Sequence, residues 1–286
     1  MKFASYNIQF GMGLDGKYDL DRIAASLAGA DVIALQEVTR GFEPNGYADL
    51  AGDLATFFPD YFWVYGAPCD VHLGTVVEDG QRRERRLQFG NMILSRWPIL
   101  STRTLLLPRQ RTFDRLNLQR GATEAVLETP AGPLRVYSVH LDHTSVEERI
   151  MQIRYLKERA GRFTEEGGAL TGASEFQLAD PPLPEDYILL GDFNMQPESP
   201  EYVAMAGSTD PVYGRTLRSL NPVDALGWLG RLTAETYSCI DAKNHGRRLQ
   251  LDYGFLSYGL LARLKDAFID TTAKGSDHFP LWLELE

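Results

Sequence analysis

Several polar residues of this sequence sit at one kind of place, the end of a short apolar run. Asn7 precedes Ile8, Val32-Ile33-Ala34-Leu35 ends in Gln36-Glu37, Val139 leads into His140, and Leu190 leads into Gly191-Asp192-Phe193-Asn194. Two later segments, Leu251-Asp252-Tyr253 and Ser276-Asp277-His278, add carboxylates and an imidazole. Such groups bind hard cations and move protons. In packed sheets the ends of neighbouring strands lie close together, so polar residues scattered through the sequence can converge in one cleft. Taken singly, Glu37 or Asp192 also reads as a solvated strand terminus. Alternate residues of an extended segment point the same way, which lets Asp192 and Asn194 share a cleft while Phe193 packs elsewhere.

The elements that must position these groups are mainly strands. Residues 2–8 and 32–35 read as strands around a helix at 20–27, which Asp19 caps. Residues 47–57 read as a second helix. Strands follow at 61–65, 71–77, 87–94, 122–128 and 134–141, with an Asp79-Gly80 turn signal between the second and third of these. Helical spacing returns at 146–162 and ends at Gly167-Gly168. Residues 164–186, rich in Gly, Pro and acids, read as a mobile surface loop, and later strands are predicted at 187–190, 251–256, 267–269 and 279–285. No fixed repeat is present.

The ordered set Asn7, Gln36-Glu37-Val38, Asn91-Met92-Ile93-Leu94-Ser95-Arg96-Trp97-Pro98, Val139-His140-Leu141, Gly191-Asp192-Phe193-Asn194, Leu251-Asp252-Tyr253 and Ser276-Asp277-His278 resembles the endonuclease/exonuclease/phosphatase superfamily. The resemblance spans nearly the whole chain. It implies one α/β (α+β) domain over residues 1–286, a four-layer sandwich of two mostly antiparallel β-sheets packed face to face, with helices on both outer sides. It further implies a cleft at one end of the sheets and a metal-dependent phosphoesterase. Oxygen ligation by Asn7, Glu37 and Asp277 suits Mg2+ or Mn2+ better than zinc. Asp192 and Asn194 are expected to hold and activate water, with His278 oriented by Asp252. Whether Asp192 or His278 takes the proton is open. His140 is expected at the phosphate or leaving group, Asn91 as a structural or phosphate-side residue, and Arg120 near the cleft or on the surface. No activated Ser, Cys or Thr suggests a covalent intermediate. His143, close to His140, lacks the further ligands of a zinc site.

A formal net charge of -10 argues against coating long nucleic acid, leaving a small phosphoester or a short strand as substrate. The run Arg82, Arg83, Arg85 and Arg86 reads as a solvated hairpin tip or as an arm that guides an anion. That hairpin and the 164–186 loop are the expected determinants of substrate choice. Cys69 and Cys239 match neither a disulfide framework nor a zinc spacing, and the absence of a long apolar segment implies a cytoplasmic protein. Two rivals remain. Gly11-Met12-Gly13-Leu14-Asp15-Gly16 is a literal dinucleotide fingerprint, although Lys17-Tyr18-Asp19 separates it from the helix. The other rival is a catalytically silent phosphate- or nucleotide-binding module of the same fold.

Overall fold

The structure, a computed structural model, describes residues 1–286 except the side chain of Lys243. Along the chain the strands of the two large sheets, beside two small ribbons (Thr209–Asp210 with Gly214–Arg215, and Cys239–Asp241 with Arg247–Leu249), are β1 (Lys2–Asn7), β2 (Val32–Arg40), β3 (Phe62–Glu78), β4 (Gln81–Ser95), β5 (Ile99–Leu106) and β6 (Gly121–Thr129). They continue as β7 (Gly132–His140), β8 (Tyr187–Asp192), β9 (Val223–Asp224), β10 (Asp252–Leu256), β11 (Leu264–Ile269) and β12 (Leu281–Leu285). One six-stranded sheet has the order β11-β12-β1-β2-β4-β3 and the other β9-β10-β8-β7-β6-β5. Each is mixed: β1 pairs parallel with β2, and β7 parallel with β8, while the other neighbours are antiparallel.

Apolar periodicity explains the layers. Phe3, Val32, Ala34 and Ile93 of the first sheet face Ala125, Val136, Ile188 and Leu190 of the second, forming a buried core between them. The opposite face of the first sheet presents Ala4, Tyr6, Ile33, Leu35 and Leu94 to helices α1 (Leu20–Ser26) and α2 (Leu50–Phe57). The opposite face of the second presents Tyr137, Val139, Leu189 and Phe255 to α3 (Val146–Gly161) and α4 (Pro200–Ala206). Strand alternation therefore buries both faces of each sheet, and the expected four-layer sandwich is what the chain forms.

Helix boundaries follow their caps. Asp19 accepts the Arg22 N–H at 3.2 Å and starts α1, and Ser145 accepts the Glu148 N–H at 3.2 Å to start α3. The second helix is shorter than the sequence suggested, because Tyr47 has a left-handed φ of 62° and Asp49 caps at Gly52. The 164–186 segment also differs from expectation. It carries helical turns at Phe163–Glu166 and Ala173–Phe176 and enters β8 at Tyr187, the end of that strand farthest from Asp192. Five residue steps of extended chain, about 17 Å, separate the two. The segment thus leads into the end of the second sheet remote from the polar cluster, which removes the reason for giving it a part in substrate choice.

Candidate active site

Register sets the first row of the site. On adjacent strands β7, β8 and β10, His140 lies opposite Asp192, and Asp192 opposite Asp252. This close alignment depends on Gly191, whose added Cβ would stand 1.9 Å from the Val139 carbonyl oxygen. In the first sheet Asn7 ends β1 opposite Gln36 of β2. Between Leu35 and Val38 strand β2 has one residue more than its partner β4, and within that bulge Glu37 takes a left-handed φ of 60°. A bulge re-aims a side chain at the end of a ladder, here that of Glu37. Asp277 and His278 precede β12 and are held by backbone bonds from Ile240 N to Asp277 O, 2.9 Å, and from Phe279 N to Ser238 O, 2.7 Å.

The side chains interlock. Asn7 Nδ2 donates to Asp192 Oδ2 at 2.9 Å and to Glu37 Oε1 at 3.3 Å. Its side-chain Oδ1 accepts the Gln9 N–H at 3.1 Å, and Gln9 Nε2 donates to Asp277 Oδ2 at 2.8 Å. The Asn7–Gln9 turn therefore ties all three carboxylates together. Asp192 Oδ2 is 3.5 Å from His140 Nε2 and 3.8 Å from His278 Nε2, while its Oδ1 accepts the Asn194 N–H at 2.9 Å. Asn194 also donates its Nδ2 to Leu141 O at 3.1 Å. His278 Nδ1 meets Asp252 Oδ2 at 2.8 Å, and the Ser238 hydroxyl donates to that oxygen at 2.6 Å.

Burial of these charges sorts their protonation. Burial pushes the Glu37 carboxyl up to about 7, against the pull of His278 and Arg120, and pushes Asp192 up to about 6. Asp277 rises for the same reason. His140 is held well below the usual histidine range by burial and by the Arg120 guanidinium. For His278 burial works against the charge, yet Asp252 and Asp192 outweigh it and keep the imidazolium well above that range. One imidazole is neutral and the other charged, within reach of the same carboxylate.

Arg120 belongs to this cluster and not to the surface. It is buried, with Nη1 at 3.1 and 2.9 Å from the two ring nitrogens of His140 and Nη2 at 2.8 Å from His143 Nδ1. Its buried Nε has no hydrogen-bond partner among the described residues. Asn91, by contrast, is buried in the core. Its Nδ2 is spent on Gly121 O at 2.8 Å and Ser138 O at 3.1 Å, both across the core, so it joins the sheets. The glycine-rich turn is no dinucleotide loop either, because Met12 pairs back with Tyr18 and α1 opens at Leu20, beyond all three glycines.

A family model described as Endonuclease/Exonuclease/phosphatase family matches residues 4–278. The chain belongs to that family. Solved structures with the same fold include a Beutenbergia cavernae endonuclease/exonuclease/phosphatase, 17% identical with a TM-score of 0.66, covering 100% of this chain and 71% of that one. The Bacteroides thetaiotaomicron mannosyl-6-phosphatase Bt3783 is also 17% identical, with a TM-score of 0.63 and coverage of 100% and 99%. Danio rerio TDP2 complexed with a single strand DNA product is 17% identical, with a TM-score of 0.60 and coverage of 100% and 98%. Identities this low establish the fold alone. No curated protein matches the sequence.

Within this Endonuclease/Exonuclease/phosphatase chain the sequence reading missed Gln9 and Ser238, which fix Asp277 and Asp252. The basic run forms, as expected, the exposed end of a long hairpin. Arg86 is engaged by Asp70 and Glu84, whereas Arg83 is only 3.6 Å from Glu78 and Arg85 lies over the Tyr47 ring at 5.3 Å. The same face of β4 continues through Leu87 to Phe89, whose ring is 6.0 Å from that of His140. Among the described residues no helix is long and apolar enough to cross a membrane.

Proposed function

We propose that the chain acts as one domain carrying one active site, a divalent-metal-dependent phosphoesterase that prefers phosphodiesters and uses water without a covalent intermediate. The observation that carries this reading is the crowding of Glu37, Asp192 and Asp277 around the Asn7–Gln9 turn, with all three carboxyls raised by burial and a charged His278 opposite. Buried like charges of this kind call for a cation. The donor set is oxygen, which fits Mg2+ or Mn2+. Glu37 and Asp277 would hold the ion, and the Asn7 amide would join them only by exchanging the Gln9 N–H that its oxygen now accepts, since its NH2 faces the carboxylates. When bound, the metal supplies a Lewis acid that polarises a phosphoryl oxygen and offsets charge in an in-line displacement.

The remaining chemistry lies in the chain's own residues. Asp192, fixed at Oδ1 by Asn194, accepts the proton of the attacking water at Oδ2, because a carboxylate near 6 is a better base than an ordinary one. His278 already carries its proton and serves as donor to a phosphate or leaving oxygen through Nε2, while Asp252 holds Nδ1. Arg120, with a buried N–H unpaired, and neutral His140 hold the anionic oxygens. Solved relatives include a mannosyl-6-phosphatase and a protein bound to a DNA product, so both ester types merit testing. Hydrolysis of bis-p-nitrophenyl and p-nitrophenyl phosphate with Mg2+, Mn2+ or chelator is the test. Metal-dependent release, faster from the diester, supports the reading, and release that persists in chelator contradicts it.

A further inference from the structure

A second, chemically different ligand set shares two residues with this centre. The Cys239 thiol, an Asp277 carboxylate oxygen and a His278 ring nitrogen all lie within 4.8 Å of one another. The arrangement is built by the backbone. Cys239 and His278 are partners in an antiparallel bridge, flanked by the Ile240 N to Asp277 O and Phe279 N to Ser238 O bonds. Directly opposed residues of such a pair project from the same face, so the thiol and imidazole are held side by side. Cys239 and His278 are buried and Asp277 is partly exposed, so the cluster meets solvent through Asp277.

Sulfur, nitrogen and oxygen donors together are a zinc ligand set, with water left to fill the fourth tetrahedral position. Mg2+ does not favour a thiol, whereas Zn2+ and Co2+ accept one. We propose that Cys239, Asp277 and His278 form an inhibitory site for Zn2+. As the zinc–sulfur and zinc–nitrogen bonds form, the Cys239 thiol and the His278 imidazolium each release a proton to solvent. Zinc seated there occupies the Asp277 carboxylate and the His278 imidazole, and turnover stops. The inhibition rests on the catalytic reading of Asp277 and His278 given above, whereas the binding does not.

The experiment separates the two. Co2+ alone is titrated into chelator-treated, full-length wild type, Cys239→Ser, Cys239→Ala and Cys69→Ser, following the thiolate-to-cobalt charge-transfer absorption and its loss on adding Zn2+. Circular dichroism confirms that each variant is folded. In parallel, hydrolysis at saturating Mg2+ is measured against rising Zn2+, each protein normalised to its own zinc-free rate. Wild type and Cys69→Ser are expected to show the band and to be inhibited. The Cys239 variants should lack the band and need more than about tenfold more Zn2+ for half inhibition. No band in wild type, or the same band in folded Cys239 variants, overturns the site. A Cys239-dependent band without inhibition overturns the inhibitory role, whereas no Mg2+-dependent hydrolysis by zinc-free wild type overturns the catalytic reading and leaves the binding site standing.

Discussion

His278 Nδ1 stands 2.8 Å from Asp252 Oδ2, and Asp252 is itself fully buried beside Ser238. Asp252 has no route to solvent except through its partners, so it positions and charges His278 and does not touch substrate itself. Asp252→Asn is expected to lower kcat by about 10²-fold with little change in KM. In a His278→Ala background the same change should cost almost nothing. Kinetics of the two single variants and the double variant check this, and a double loss equal to the product of the singles would separate the pair.

Removal of metal should leave a protein whose stability depends on protons. Burial raises Glu37 from an ordinary 4.5 to about 7 and Asp192 from 3.8 to about 6. The folded chain then holds protons that the unfolded chain has released, so stability present at acid pH is lost as pH rises through roughly 4 to 7. His278, raised by its carboxylate neighbours, acts in the same direction at higher pH, and His140, lowered by burial, opposes it below the ordinary histidine value. In chelator, Tm should fall between about pH 5 and pH 8. Mg2+ or Mn2+ should restore it at the alkaline end. A Tm that climbs with pH in chelator is the contrary result.

Gly191 is where strand packing and site placement meet. An alanine there must move the Val139 carbonyl or β8 itself, because its Cβ would lie 1.9 Å from that oxygen. Gly191→Ala should cost about 2–4 kcal/mol by urea unfolding and lower activity as Asp192 shifts. Gly161→Ala near the end of α3, whose Cβ would be 3.6 Å from Leu220, serves as the tolerated control.

The long hairpin offers a test of substrate size. Arg83 and Arg85 share one face of β4 with Phe89, which reaches the His140 ring. Arg83→Ala with Arg85→Ala should leave hydrolysis of p-nitrophenyl esters near wild type and lower kcat/KM several-fold for a short single-stranded oligonucleotide at low salt. Equal kcat/KM for the oligonucleotide in both proteins removes the hairpin from substrate binding.

Much of this architecture can be read from the sequence because burial imposes its own pattern. The runs 32–35 and 187–190 that lead to Glu37 and Asp192 are apolar throughout, since both faces of each sheet are covered, and such runs stand out. Strand β5 escaped notice because it is an edge strand with alternating partial exposure, and its Ser-Thr-Arg-Thr composition does not look like core. Helix α4 carried a usable signal, Ser199 followed by Pro200 and Glu201, an N-cap with proline at the first helical position. Gln9 and Ser238 carried none, because the residues they hold, Asp277 and Asp252, are distant in the chain or lie across the ribbon of Cys239–Asp241 and Arg247–Leu249. Arg120 and Asn91 show the same limit: one could be surface and is buried in the cluster, the other could face phosphate and instead joins two sheets.

The most direct measurement is hydrolysis of bis-p-nitrophenyl phosphate by wild type and Asp192→Asn from matched preparations, in Mg2+ or Mn2+ and in chelator, with thermal unfolding of both. The account predicts metal-dependent release by wild type and a loss of about 10³-fold in Asp192→Asn at unchanged fold. Equal rates from the two folded proteins would contradict it.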